Sequence, residues 1–179
     1  MYKLKLTRLQ NSIFRLLCIK AGEKLNQRTI AKLLDVTPTA VSKALKYLKE
    51  QNMIEMQKDP KMNLTLVELN RKNLFIISLK RTENLKMIYE SGLNEFLSEQ
   101  FPGATIILFG SYSTGEDTIN SDIDIAVIES KEKTINLSKF EKLLERKIFL
   151  HYYKDFKEIN KNLRTNIING ITLSGIVEI

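Results

Sequence analysis

Residues 104–128 read ATIILFGSYSTGEDTINSDIDIAVI, and this stretch decides the fold. A first apolar run, Ala104 to Phe109, stops at Gly110-Ser111; a second opens at Asp122-Ile123-Asp124 and ends at Ile128. Short β-branched runs bounded by turn residues predict two buried strands. Side chains at i and i+2 share a strand face, so Asp122 and Asp124 project together while Ile123 and Ile125 project the other way. Two adjacent carboxylates repel, and burying either without a counter-charge is costly. A divalent cation with oxygen ligands resolves both problems, and Mg²⁺ commonly takes one or two carboxylates together with substrate phosphates. At the other end Gly110 permits close approach of the backbone to a ligand. Ser111 begins a short predicted helix whose N–H groups and hydroxyl face an anion. Phosphate at one end and its cation at the other imply a site for a nucleoside triphosphate.

Gly110-Ser111, ten residues, then Asp122-x-Asp124 resembles the signature of the DNA polymerase β-like nucleotidyltransferases, and the chain most resembles their minimal members. The resemblance implies an α/β (α+β) fold with a small mixed-sheet nucleotidyltransferase domain over residues 101–179. It assigns catalysis to Asp122, Asp124 and Ser111, nucleotide binding to Gly110 and Ser111, and Mg²⁺ to Asp122 and Asp124, with ATP or another nucleoside triphosphate as substrate. Members of this superfamily generally carry a third metal-binding carboxylate on a later strand. The predicted strand Lys147 to Tyr153 (KIFLHYY) puts Phe149 there, with His151 two residues on and on the same face. Imidazole is suited to proton transfer near neutral pH, and a partly exposed strand histidine is the plainer meaning of the same residue. Glu116 and Asp117, between the motif halves, read as exposed loop acids.

Residues 101–179 leave no room for the thumb, fingers or helical bodies that grip a primer or tRNA. By resemblance, minimal members depend on partners, and many pair with a HEPN-domain protein as the antitoxin half of a toxin–antitoxin system. The activity so implied is transfer of a nucleoside monophosphate, most simply AMP from Mg·ATP, onto a hydroxyl of the partner. With Phe149 in place of an acid, the other reading is a regulator whose degenerate domain only binds nucleotide or mediates dimerisation.

Length and composition frame this domain. At 179 residues and 43% hydrophobic content, one or two small folded domains fit. No apolar run approaches a membrane span and MYKLKLTRLQ has no signal-peptide core, so the expectation is a soluble, cytoplasmic protein with no membrane partner. Cys18, the single cysteine, sits in an apolar helical pattern and reads as a core residue. Net charge is +7, and residues 1–70, with 13 Lys+Arg against 6 Asp+Glu, carry all of it. That asymmetry suggests a nucleic-acid-facing module joined to a neutral one; a solvated basic face is the alternative.

Within residues 1–70, Leu9, Ile13, Leu16 and Leu17 fall at helical spacing. Asn26 is placed to cap a second helix with Ile30, Leu33 and Leu34 inward, and Thr37-Pro38 to start a third with Val41, Leu45 and Leu48 inward. Met53 to Met56 and Leu64 to Leu69 then read as a hairpin with Lys58-Asp59-Pro60-Lys61 at its tip. This order resembles the winged helix-turn-helix DNA-binding domains. The resemblance implies double-stranded DNA as a partner, with the Thr37 helix in the major groove. Thr37, Thr39, Ala40, Ser42 and Lys43 would face the DNA, Lys46 would meet phosphate, and Lys58 and Lys61 would reach from the wing. No arginine in that helix is available to grip guanine bidentately, so base specificity is expected to be modest and a homodimer the natural remedy. A three-helix scaffold that binds protein is the competing meaning.

Residues 71–100 read as linker and packing helices, broken near Gly92. Asn136 is placed to cap a helix with Leu137, Phe140 and Leu144 inward. The end of the chain, with Phe156, Ile159, Leu163 and Ile167 and then an apolar tail, is expected to complete the domain or an oligomer contact.

Overall fold

The computed structural model describes residues 4–60 and 64–177, and its contacts divide the chain into two units between Ile77 and Ser78. Lys61, expected at the wing tip, lies outside the described residues.

The first unit begins with α1 (Arg8–Ile19), which Thr7 caps in a box with Gln10. Its inward stripe is Ile13, Phe14, Leu16, Leu17 and Cys18, all buried. A two-residue strand, β1 (Leu25–Asn26), leads into α2 (Gln27–Leu33), where the Asn26 carboxamide oxygen accepts from Thr29 N. Sequence reading missed β1, because two residues carry no periodicity. Leu33, expected inward, is 52% exposed: the buried face of α2 runs through Ile30 and Ala31. α3 (Pro38–Glu50) starts as expected, with Thr37 Oγ1 accepting from Ala40 N and proline in the first turn. Val41, Ala44, Leu45 and Leu48 form its buried face. β2 (Ile54–Asp59) and β3 (Leu64–Leu69) pair antiparallel, and β1 joins the outer edge of β3.

α4 (Leu74–Glu90) contains the division between units, and Gly92, at φ +76°, separates it from α5 (Leu93–Gln100). The second unit is built on a four-stranded sheet ordered β6–β5–β4–β7. β4 (Thr105–Phe109) runs into α6 (Gly110–Thr114), and β5 (Ile123–Ile128) returns antiparallel to β4. α7 (Ser138–Leu144) follows, its first turn held by Asn136 Oδ1, which accepts from Ser138 N. β6 (Ile148–Tyr153) pairs parallel to β5, as a strand returning through a helical crossover does. A 3₁₀ turn (Phe156–Glu158), α8 (Lys161–Ile168) and β7 (Ile171–Ser174) complete the chain, β7 pairing antiparallel to β4. The apolar tail therefore closes the sheet edge.

Every residue of β4 is buried because both sheet faces are covered. On one face Ile107, Phe109, Ala126 and Ile128 pack with Phe156, Ile159 and Ile167. On the other, Phe101 meets Tyr152 edge-on at 5.7 Å, and Phe96 of α5 meets Phe140 of α7 at 5.0 Å.

Candidate functional site

Strand register determines which side chains stand side by side. Phe109, Asp124 and Phe149 form one row across β4, β5 and β6; Ile107, Ala126 and His151 form the next. All six lie on the face that α8 covers over its lower part, and the Asp124 end is left open. Asp124 and His151 are partly exposed, and Phe149 is 50% exposed.

Gly110 and Asp124 are in close contact. Gly110 takes φ +72°, and a Cβ built there would sit 2.9 Å from Asp124 Oδ2. The dihedral favours glycine here, and a side chain would push the Asp124 carboxylate from its place. Ser111, the second residue of α6, is partly exposed, and its carbonyl accepts from Glu116 N at 3.0 Å and Asp117 N at 3.2 Å. Asp122 lies one residue before β5 and is exposed. It lines a cleft of about 480 Å³ together with Ser121, Ser138, Glu141, Lys142 and Arg146. Thus Gly110 and Asp124 meet directly, while Asp122 stands at the strand's open end beside the cleft.

His151 Nε2 lies 3.0 Å from Asp124 Oδ1, and its ring meets Phe109 at 5.2 Å, edge to face. Phe149 occupies the β6 position level with Asp124, so no acid stands there. Among the described residues no group of three or more His, Cys, Asp or Glu is arranged to hold a metal ion. The donor set suits a cation that brings most of its ligands with it. Carboxylate oxygens at the open end of β5 are donors of the kind Mg²⁺ takes one or two of, with water and phosphate oxygens completing its shell.

One buried group was misread from sequence. Asp117, expected exposed, is 0% exposed. Its carboxylate forms an ion pair with Lys80 of α4, accepts from Asn84 Nδ2 at 2.7 Å, and receives Arg146 Nη2 at 3.4 Å. Nothing local signals this, since both cations are distant in sequence. At the cleft rim, Glu141 accepts from Ile148 N at 3.2 Å and from Lys147 Nζ at 3.2 Å. The backbone donor first, then the lysine, hold its carboxyl below the usual carboxylate range.

In the first unit, Thr37, Thr39, Ser42, Lys43 and Lys46 are exposed along α3 and Ala40 is half-buried. The hydroxyl of Thr37 is engaged in the cap. Gln27 Nε2 donates to Pro38 O at 2.6 Å, fixing α2 against the start of α3. Lys58 is exposed on β2. No helix among the described residues is long and apolar enough to cross a membrane.

Two family models match. Residues 90–174 match that of the nucleotidyltransferase domain, and residues 4–61 that of the MarR family. Among solved structures, Lactococcus lactis ZitR, a zinc-responsive MarR family member, is 27% identical over 56% of this chain and 66% of that one, with a TM-score of 0.43. The adhesin competence repressor AdcR of Streptococcus pyogenes is 25% identical over 56% of this chain and 70% of that one, with a TM-score of 0.45. A Lactococcus lactis ZitR mutant in complex with DNA is 28% identical over 56% of this chain and 65% of that one, with a TM-score of 0.40. The chain spans about two thirds of the length of these regulators. No curated protein matches it.

Proposed function

We propose, for a chain that joins a MarR-family winged-helix domain to a nucleotidyltransferase domain, that the second domain transfers a nucleoside monophosphate to a partner protein while the first binds DNA. The donor is a nucleoside triphosphate, most simply ATP, and the acceptor a hydroxyl on a HEPN-domain partner, in an antitoxin-like pairing. The observation that carries the reading is the close approach of the Gly110 backbone to Asp124, where a Cβ would sit 2.9 Å from Oδ2, so that the turn after β4 and the first carboxylate of β5 meet at one point. The backbone at Gly110 and Ser111 receives the triphosphate, and Asp122 and Asp124 hold its cation. Bound there, Mg²⁺ would neutralise phosphate charge and polarise the α-phosphate. The acceptor oxygen forms a bond to the α-phosphorus as the bond to the bridging oxygen breaks and pyrophosphate leaves. His151, 3.0 Å from Asp124 Oδ1, takes the hydroxyl proton in this reading. Positioning and electrostatics supply most of the acceleration.

The winged helix binds double-stranded DNA as a homodimer through α3 and Lys58, which would let the chain sit on its own promoter. Affinity then comes mainly from phosphate contacts.

Phe149 favours a second reading, in which the domain senses nucleotide without turning it over. Incubation of the full chain with α-labelled ATP, Mg²⁺ and a HEPN-domain protein as acceptor separates the two. Labelled partner that disappears with Asp122→Asn plus Asp124→Asn supports transfer. Calorimetric binding of a non-hydrolysable analogue with no pyrophosphate release from ATP supports the sensor. Neither binding nor release sinks both.

A further inference from the structure

The loop from Gly115 to Ser121 spans the two halves of the candidate site, and its middle is anchored by a buried carboxylate rather than left to solvent. Asp117 is fully buried and bonded in three directions. Through its backbone N–H it donates to the carbonyl of Ser111 at 3.2 Å. Through its carboxylate it holds Lys80 and Asn84 of α4, both buried, and Arg146 at the foot of β6. Asn84 Nδ2 donates as well to the carbonyl of Tyr112 at 2.9 Å, so α4 grips α6 directly. Beside Arg146, the carbonyl of Lys147 accepts from Ile123 N at 2.8 Å, between the two motif aspartates. One residue therefore links Ser111, through its backbone, with α4 and the start of β6, through its carboxylate.

We propose that Asp117 is the positioning residue of this site: through its bonds to Ser111, Lys80, Asn84 and Arg146 it sets the separation between the phosphate seat at Gly110–Ser111 and the carboxylates at Asp122 and Asp124. A buried ion pair is weak evidence for stability, because desolvation offsets much of its Coulombic gain. Its use here is geometric. Three elements distant in sequence are brought to one point, and the spacing of the site follows from that point. Partners that orient a metal ligand without touching the metal alter affinity by about 10–100-fold when removed. This role presupposes the nucleotide site proposed above.

The test is calorimetric titration of the full-length chain with Mg²⁺ and a non-hydrolysable ATP analogue, alongside thermal unfolding. Four variants are compared with wild type: Asp117→Asn, Asn84→Ala, Asp124→Asn, and Phe101→Ala, which opens the packing against Tyr152 on the opposite face of the sheet. Asp117→Asn and Asn84→Ala should each weaken binding by roughly tenfold or more. Phe101→Ala should lower the melting temperature and leave binding within about twofold of wild type, as expected of sites with no shared partners. Should Asp117→Asn fail to fold, Asn84→Ala decides, since it leaves both ion pairs in place. Wild-type binding that Asp124→Asn abolishes but Asp117→Asn and Asn84→Ala leave intact overturns the positioning role alone. Weakening by Phe101→Ala to the same degree also overturns it. No binding by a folded wild-type chain overturns this role and the nucleotide site together.

Discussion

Phe149 stands level with Asp124 on the neighbouring parallel strand and presents half its surface to solvent. If the domain transfers nucleotide as proposed, an acid at this position would help hold a second cation and deprotonate an acceptor. Phe149→Asp should therefore restore that function. Positioned acid–base groups contribute on the order of 10²–10⁴-fold. Pyrophosphate release from Mg·ATP should rise by at least about tenfold, with a steeper dependence on Mg²⁺ concentration. An unchanged rate in a variant that still binds nucleotide would remove this end of β6 from the acceptor side.

Gly110 offers a sharper test of the seat itself. A methyl group there would sit 2.9 Å from Asp124 Oδ2 at a residue with φ +72°. The left-handed backbone alone costs an L-residue about 1–2 kcal/mol. Gly110→Ala should lower the melting temperature by a few degrees and abolish detectable binding of the ATP analogue. Retention of full affinity would mean that the space beside Asp124 is not where the phosphates lie.

What could be read beforehand follows from the range of the interactions involved. Caps are local chemistry, and both Asn26 and Thr37 act where their side chains predict. The strands either side of Gly110 and Asp122 were legible because apolar runs and turn residues alternate within one short stretch. The register that sets Phe149 beside Asp124 was legible only through the family resemblance. Asp117 was not legible at all: its burial is decided by Lys80 and Arg146, 37 and 29 residues away in sequence. Leu33 failed for a different reason: the buried face of α2 runs through Ile30 and Ala31, and Leu33 falls on the side of Ile30 away from Ala31.

Glu141 makes acid stability partly a property of the cleft rim. Its carboxyl is held down in the folded chain by the Ile148 backbone N–H and by Lys147. A depressed carboxylate contributes stability above its unfolded value, near pH 4.5, and loses it as pH falls through the folded value. Glu141→Gln should therefore be less stable than wild type at pH 7, and the gap should close as the pH is lowered below about 4.5. Because the lysine is largely exposed, the part of the gap due to it should shrink in salt while the backbone part persists. Chemical denaturation at pH 7 and pH 3.5 measures this, and a gap that stays constant would sink the assignment.

The last test concerns α3. Lys43 and Lys46 are exposed on the helix, and Lys58 on the strand leading to the wing. If each meets a phosphate, log affinity for duplex DNA falls against log salt with a slope of about 0.9 for every phosphate neutralised. Lys43→Ala and Lys46→Ala together should then reduce that slope by about 1.8, and Lys58→Ala by about 0.9. The loss should be the same on any sequence, because point charges on phosphate carry no base readout. Ser42→Ala, by contrast, should leave the slope unchanged and alter only the preference among sequences, since a hydroxyl reads base edges without releasing counterions. Fluorescence anisotropy on two unrelated duplexes over a salt series measures both quantities. A slope untouched by removing the lysines would take DNA away from α3 and leave this helix as a scaffold.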